Sequence, residues 1–250
     1  MASIVLSYPC HEPTKRPRPM TATRIWEIAR TAREQLYGRV IVGTVDVTDL
    51  MRRCQSILVN GVLFDVVWDS ACTLTDDAGR PALGLCDYDD ASPEQIMISI
   101  DHNLLEGYPH VAISTAAHEI GHAVFDRPAD VHERKMMTGT ARDSGIASSK
   151  PPETLAPQTG AMDWAEFRAN EFMGGFLVPP RLLHKRLLAY SSDARLPLVE
   201  RTDHHGVLGL PVVRRASSAV SELLAEDFGV GPQFIEVRLA KYHLIANQQS

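Results

Sequence analysis

Cysteine is scarce in this chain of 250 residues: Cys10, Cys54, Cys72 and Cys86 stand far apart, and none belongs to a C-x-x-C pair. That scarcity argues against a disulfide framework and fits a reducing cytoplasm. Long apolar runs are missing as well. The first is only Ile4-Val5-Leu6, no signal-peptide pattern is visible, and nothing approaches the ~20 apolar residues of a bilayer-crossing helix. Neither a secreted nor a membrane-anchored protein is expected. Positive charge is also short, with 25 Lys and Arg against 31 Asp and Glu and a formal net charge of −6. A phosphate-gripping surface over the whole molecule is thereby disfavoured, and direct nucleic-acid binding is not expected. No internal repeat is evident. What remains is an ordinary globular composition, 44% hydrophobic and 22% charged, in a chain long enough to bury a substantial core.

Within it stands His118-Glu119-Ile120-Gly121-His122, an H-E-x-x-H motif expected by chance only about 0.02 times in a chain of this composition. Two histidines four apart on an α-helix project from one face, so both imidazoles can bind a single Zn²⁺. The glutamate after the first histidine can then act as general base towards water on the metal. The surrounding run Ala112–Phe125 is alanine-rich and free of proline, and Pro109 ahead of it is a helix-entry signal. The duller alternative is a pair of helix histidines lining a core.

A catalytic zinc needs a third protein ligand and an open position. The candidate is Glu166, in a helix predicted to start at Asp163 with Trp164, Phe167, Phe172 and Phe176 as its apolar stripe. Asn170 lies four residues on, on the same face, where it can hydrogen-bond a ligating histidine. Glu171 points elsewhere and is the weaker choice. His132 is an alternative third ligand, and a solvated surface role for Glu166 is the bland one. Cys10-His11 could cap the metal as a thiolate, although a disordered tail thiol is the simpler reading.

These segments, H-E-I-G-H followed by E-F-R-A-N-E-F-M-G-G-F-L-V-P, resemble the ImmA/IrrE family of bacterial and phage zinc metallopeptidases. In that family the motif helix is followed by a helix of the form E-x-x-A-N-x-F that ends in an L-x-x-P-like segment. Leu224–Leu239 is similar to the family's closing helix pair, and Gln95–Asp101 to the strand that precedes the motif helix. The resemblance covers 95–125, 161–182 and 216–246, in the family's order. Residues 127–160 and 191–215 depart from the pattern as insertions, which puts substrate specificity in doubt more than the metal site.

The organisation expected is a loose, basic, Pro-rich tail at 1–20 and one metallopeptidase domain at 21–246. A helix capped by Thr21 or Thr23 runs to Tyr37, burying Ile25, Ile28, Ala29, Ala32 and Leu36. A second helix runs from Val47 through Ile57. Strands follow at Gly61–Trp68, Ala82–Leu85 and Ile96–Ile100, with turns across 75–94. Residues 127–160 lack periodicity and read as a loop or lid, 191–215 as another insertion, and 216–246 as a C-terminal helical element. Leu224–Leu239 also resembles a helix-turn-helix, but Glu222, Glu226, Asp227 and Glu236 make it wrong for phosphate, so a packing element is expected. The fold class is α+β, a small, mostly antiparallel sheet beside helices; the resemblance implies a zincin-like arrangement.

Function then reads as zinc-dependent peptide hydrolysis, one Zn²⁺ per chain on His118, His122 and Glu166, with Glu119 moving the proton. Mn²⁺ or Fe²⁺ also suits two histidines and a carboxylate. An oxyanion donor is not marked by any motif; Tyr190, His204, His205, Tyr242 and His243 are the candidates. The resemblance implies a partner protein as substrate, a helix-turn-helix repressor cut at one site in a stress or mobile-element response. The chain shows no repressor domain of its own, so a separate target is expected. The alternatives are a zinc-containing protein that sequesters its partner without cutting it, which Glu119 disfavours, and a toxin-like metalloprotease with another target.

Overall fold

The computed structural model describes residues 3–38, 44–76, 78–88, 92, 94–144, 163–193, 195, 198–202, 208–213 and 218–245. Chain order begins with β1 (Ile4–Leu6), α1 (Ala22–Tyr37), α2 (Val47–Arg53), β2 (Ser56–Val59) and β3 (Val62–Asp69). The short pair β4 (Leu74–Thr75) and β5 (Pro81–Ala82) precedes β6 (Gly84–Tyr88), β7 (Gln95–Ile100), α3 (His102–Gly107) and α4 (Pro109–Phe125). After these come α5 (Arg127–Ser144), α6 (Trp164–Leu177), α7 (Pro180–Asp193), β8 (Leu198–Thr202), β9 (Leu208–Val213), α8 (Ser218–Phe228) and α9 (Pro232–Lys241). The class is α+β, as expected.

The main sheet has five strands in the order β1-β2-β3-β7-β6. It is mixed rather than mostly antiparallel: β1–β2 and β3–β7 are parallel, β2–β3 and β6–β7 antiparallel. Parallel neighbours need a crossover between them. Helices α1 and α2 supply the first, and the excursion through β4, β5 and β6 supplies the second. The antiparallel β2–β3 hairpin turns at Asn60-Gly61, with φ of 49° and 82°, the doubly left-handed backbone that Asn-Gly adopts at little cost.

This hairpin also corrects the second helix, which ends at Arg53 rather than running through Ile57. Ile57 belongs to β2, opposite Phe64. The strand expected at Gly61–Trp68 is β3, and along it Val62, Phe64 and Val66 are buried while Leu63, Asp65 and Val67 face outward. Helix α1 matches its expected bounds and buried face, with Thr21 accepting from Arg24 N.

The N-terminal segment is not a loose tail. Ile4 and Leu6 are buried in β1, and the Tyr8 hydroxyl donates to Val124 O at 2.8 Å. Its prolines begin only at Pro9, leaving enough chain before them for a strand with inward residues two apart. Cys10 is buried in this packing rather than in a disordered tail, and all four cysteines are free. Residues 127–144 are helix, not loop: Pro128 sits in the first turn, where proline costs no hydrogen bond, and Ala129 and Val131 are buried. Residues 145–160 lie outside the described residues. In 191–215, β8 and β9 form an antiparallel hairpin.

Helices α1 and α4 both touch the sheet and both pack on α6, so they form the layer between it and α6. Phe125 of α4 meets Phe172 of α6 edge-on and Phe172 stacks on Phe176, with ring centroids 6.0 and 5.9 Å apart. Burying each such ring contributes roughly 1.5–3 kcal/mol. Leu224, Phe228, Ile235 and Leu239 bury the α8–α9 pair in the same core, the packing role expected of it. Among the described residues no helix is long and apolar enough to cross a membrane.

Candidate metal centre

Helix α4 opens with Pro109 at its first position and is buried almost all round. Only Val111, Ser114, His118 and His122 are partly exposed between 111 and 125. Their spacing of three or four places them in one stripe along the helix. The two histidines therefore face the single open side of an otherwise enclosed helix, which a pair merely lining a core would not do.

Helix α6 brings the third group. The Asp163 side chain accepts from Ala165 N at 3.0 Å and Glu166 N at 3.2 Å, fixing the first turn. Helices α4 and α6 cross in near backbone contact: a Cβ on Gly121 would lie 2.8 Å from Ala169 Cα. Glu166, one turn before that crossing, thereby reaches the histidines. His118 Nε2 and His122 Nε2 are 3.1 Å apart, and the Glu166 carboxylate oxygens lie 3.4 Å from the first and 3.3 Å from the second. The donor atoms of all three lie within 4.8 Å of one another. A tetrahedral metal with ligands near 2.0–2.1 Å separates them by roughly 3.3 Å, so the spacing has the right size for one ion.

Around this trio the charges are ordered. His122 Nδ1 lies 2.9 Å from Asp126 Oδ2, and Arg168 Nη2 donates to Asp126 Oδ1 at 2.6 Å. With Nδ1–H donating to the Asp126 carboxylate, the Nε2 lone pair is left for a ligand. Burial alone raises the Asp126 carboxyl, but His122 and Arg168 outweigh it and hold the group below its ordinary range. His122 is pulled the other way: burial opposes its charge, yet Asp126 wins and raises its pKa. His118 is lowered by burial and then by His122, with Glu166 and a hydrogen bond donated to Asn170 opposing. Asn170 also donates to Glu166 O at 2.8 Å. It thus touches both a ligand-candidate histidine and the turn that carries Glu166.

Glu119 lies against β6, within electrostatic reach of His122 and Glu166, and is only 7% exposed. A Cβ on Gly84 would lie 3.0 Å from Glu119 Oε1 and 2.4 Å from Thr115 Cγ2, so the strand passes close over this carboxylate only because it carries no side chain there. Burial pushes the Glu119 carboxyl up to about 7, against the opposing pull of His122.

The other candidates fall elsewhere. Glu171 is buried on the far side of α6, accepting from Trp26 Nε1 at 2.7 Å and pairing with Arg238 and Lys241. His132 lies on α5 and is not part of the donor group. Tyr190 donates to Asp227 Oδ2 at 2.7 Å, and Tyr242 is buried against Trp26. His204 and His205 lie outside the described residues, and His243 follows α9 in a left-handed turn. Sequence reasoning missed Asp126, Arg168 and Gly84. Asp126 had a readable signal, a carboxylate four residues after the second histidine on the same helix; the other two had none. Comparison of the chain with protein-family models, with curated protein sequences and with solved structures returns no match.

Proposed function

We propose that the protein is a zinc-dependent endopeptidase that cuts one specific partner protein. The observation that carries this reading is the convergence of His118, His122 and Glu166 within 4.8 Å, with the buried carboxylate of Glu119 on the adjacent residue of the same helix. Two imidazole nitrogens and one carboxylate are a donor set that catalytic zinc takes, with a fourth position left open. Those three side chains would hold the ion, and Asp126 would orient His122. When bound, zinc supplies Lewis acidity, favouring hydroxide over water near neutral pH and polarising a carbonyl.

The remaining work falls to the chain's own groups. Glu119 accepts a proton on its carboxylate and returns it to the departing amine nitrogen. Burial disfavours the charged form of Glu119, which suits a group that must bind the proton as well as release it. Strand β6 ends the sheet among the described residues and runs beside Glu119, which suits an extended peptide laid along it.

The likeness to ImmA/IrrE metallopeptidases supports the finer parts: a zincin-like fold, a cytoplasmic setting, and a helix-turn-helix repressor as substrate in a stress or mobile-element response. The test is co-expression with a candidate helix-turn-helix repressor, comparing wild type with Glu119→Gln by intact mass of the partner. One discrete cut that vanishes in Glu119→Gln is expected. A partner that co-purifies uncut with both forms would replace the peptidase by a sequestering protein.

A further inference from the structure

A cavity of about 600 Å³ lies in the wedge between α4, α6 and α9, within the range of small-molecule and side-chain pockets. It adjoins the metal centre. Asn170, on its wall, stands one helical turn beyond Glu166, and Ser114, on the opposite wall, one turn before His118; a turn is about 5.4 Å of rise. Its sides are apolar: Val111 from α4, Phe167 and Met173 from α6, Phe234 and Val237 from α9. The first four are only partly buried, and Val237 is 44% exposed. Such apolar surface, held open beside a polar centre, gains free energy when a ligand covers it.

The floor of the cavity is charged in one sense. Glu171 is the one acid among the residues that line it, and its carboxylate is shared by two cations, Arg238 at 3.1 Å and Lys241. Arg238 also donates to Asn170 O at 2.8 Å. Two positive groups on one negative group leave one positive charge over. Arg238 is 3% exposed in its side chain, whereas Lys241 is 42% exposed, so the surplus faces the cavity through Lys241.

We infer that this cavity is the specificity pocket of the proposed metal centre, taking an apolar side chain of the substrate whose neighbouring residue carries a carboxylate. The inference rests on the metallopeptidase reading and extends it from a reaction to a substrate class. A polypeptide held at the metal can place one side chain a helical turn away, between Phe167 and Val237, and the adjoining carboxylate beside Lys241. Basic residues at that second position are rejected by the same surplus charge.

The test separates the two readings because its probes bind through metal and pocket independently. Zinc-loaded protein is titrated calorimetrically with acetohydroxamate, with 3-phenylpropanohydroxamate, and with the latter bearing an added carboxylate. The phenyl compound is expected to bind about tenfold tighter than acetohydroxamate. Val237→Trp, which fills the pocket from an exposed position, should abolish that gain while zinc stoichiometry is retained, and Val237→Ala should preserve it. The added carboxylate should improve binding on the order of threefold in wild type and not in Lys241→Gln.

Acetohydroxamate binding with no gain from the phenyl group, or a gain untouched by Val237→Trp, overturns the pocket and leaves the metal centre standing. A carboxylate that brings no Lys241-dependent gain overturns the acidic neighbour. If the protein takes up no stoichiometric zinc and binds none of the probes, the metallopeptidase reading and the pocket fall together.

Discussion

At the scale of single residues, Glu119 is the most consequential side chain, because its burial works against its charge. Its carboxyl is raised from an ordinary 4.5 to about 7, chiefly by burial. A raised acid holds its proton more tightly folded than unfolded, so its contribution to stability falls as pH climbs between those two values. Metal-free wild type is therefore expected to lose on the order of 3 kcal/mol across that window relative to metal-free Glu119→Gln. Urea unfolding of both proteins at pH 5 and pH 8 measures this difference; parallel pH profiles would mean that the carboxylate is not paying for burial. Asp126 has the opposite sense, since His122 and Arg168 together favour its charged form. The histidine pair and Glu119 were legible from residue spacing alone. Arg168 was not, because its role depends on a partner 42 positions away in sequence.

At the scale of elements, the site depends on how closely α4 and α6 cross. Gly121 occupies one of the two variable positions of the H-E-x-x-H motif, and any side chain there meets Ala169 backbone. Gly121→Val is expected to push the helices apart and separate Glu166 from the histidines. A cost of roughly 1–3 kcal/mol in stability follows from overpacking, and stoichiometric zinc uptake should be lost. Atomic-absorption analysis of folded Gly121→Val checks this; full zinc occupancy would show that the crossing tolerates the extra volume. Helix α6 itself was readable, since Asp163 marks its start and the aromatic spacing marks its length. Within that stripe Phe172 and Phe176 are fully buried, but Trp164 is 52% exposed. It lies in the first turn, edge-on to Phe167 of the same helix. The β2–β3 hairpin also carried a readable signal, Asn60-Gly61, which the expectation of a longer second helix overrode.

At the scale of the whole molecule, Glu171 holds the C-terminal helix to the rest. Its buried carboxylate joins Trp26 of α1 to Arg238 and Lys241 of α9. Removing one partner of a buried ion pair leaves an uncompensated charge, here Arg238, which is 3% exposed. Glu171→Ala is thus expected to destabilise the protein by about 3–5 kcal/mol, read as a lowered urea midpoint. A midpoint within error of wild type would show that α9 is held by its apolar face alone. The same group supplies the floor of the cavity beside the candidate metal centre, so stability and the proposed specificity share one side chain.

The sequence by itself determined what depends on short-range periodicity: α1 with its buried face, the α4 stripe of histidines, the capped start of α6, and the β3 strand. Each of these is set by neighbours within about one or two turns or strand repeats, where side-chain direction follows directly from backbone geometry. Only the tertiary structure decided what joins distant segments. It made the sheet mixed, drew the segment ahead of the N-terminal prolines into that sheet, and turned residues 127–144 into a helix. It also set the α4–α6 crossing that places Glu166 against His118 and His122. Those outcomes rest on which surfaces fit together after collapse, and packing complementarity between remote elements leaves no periodic trace in the chain.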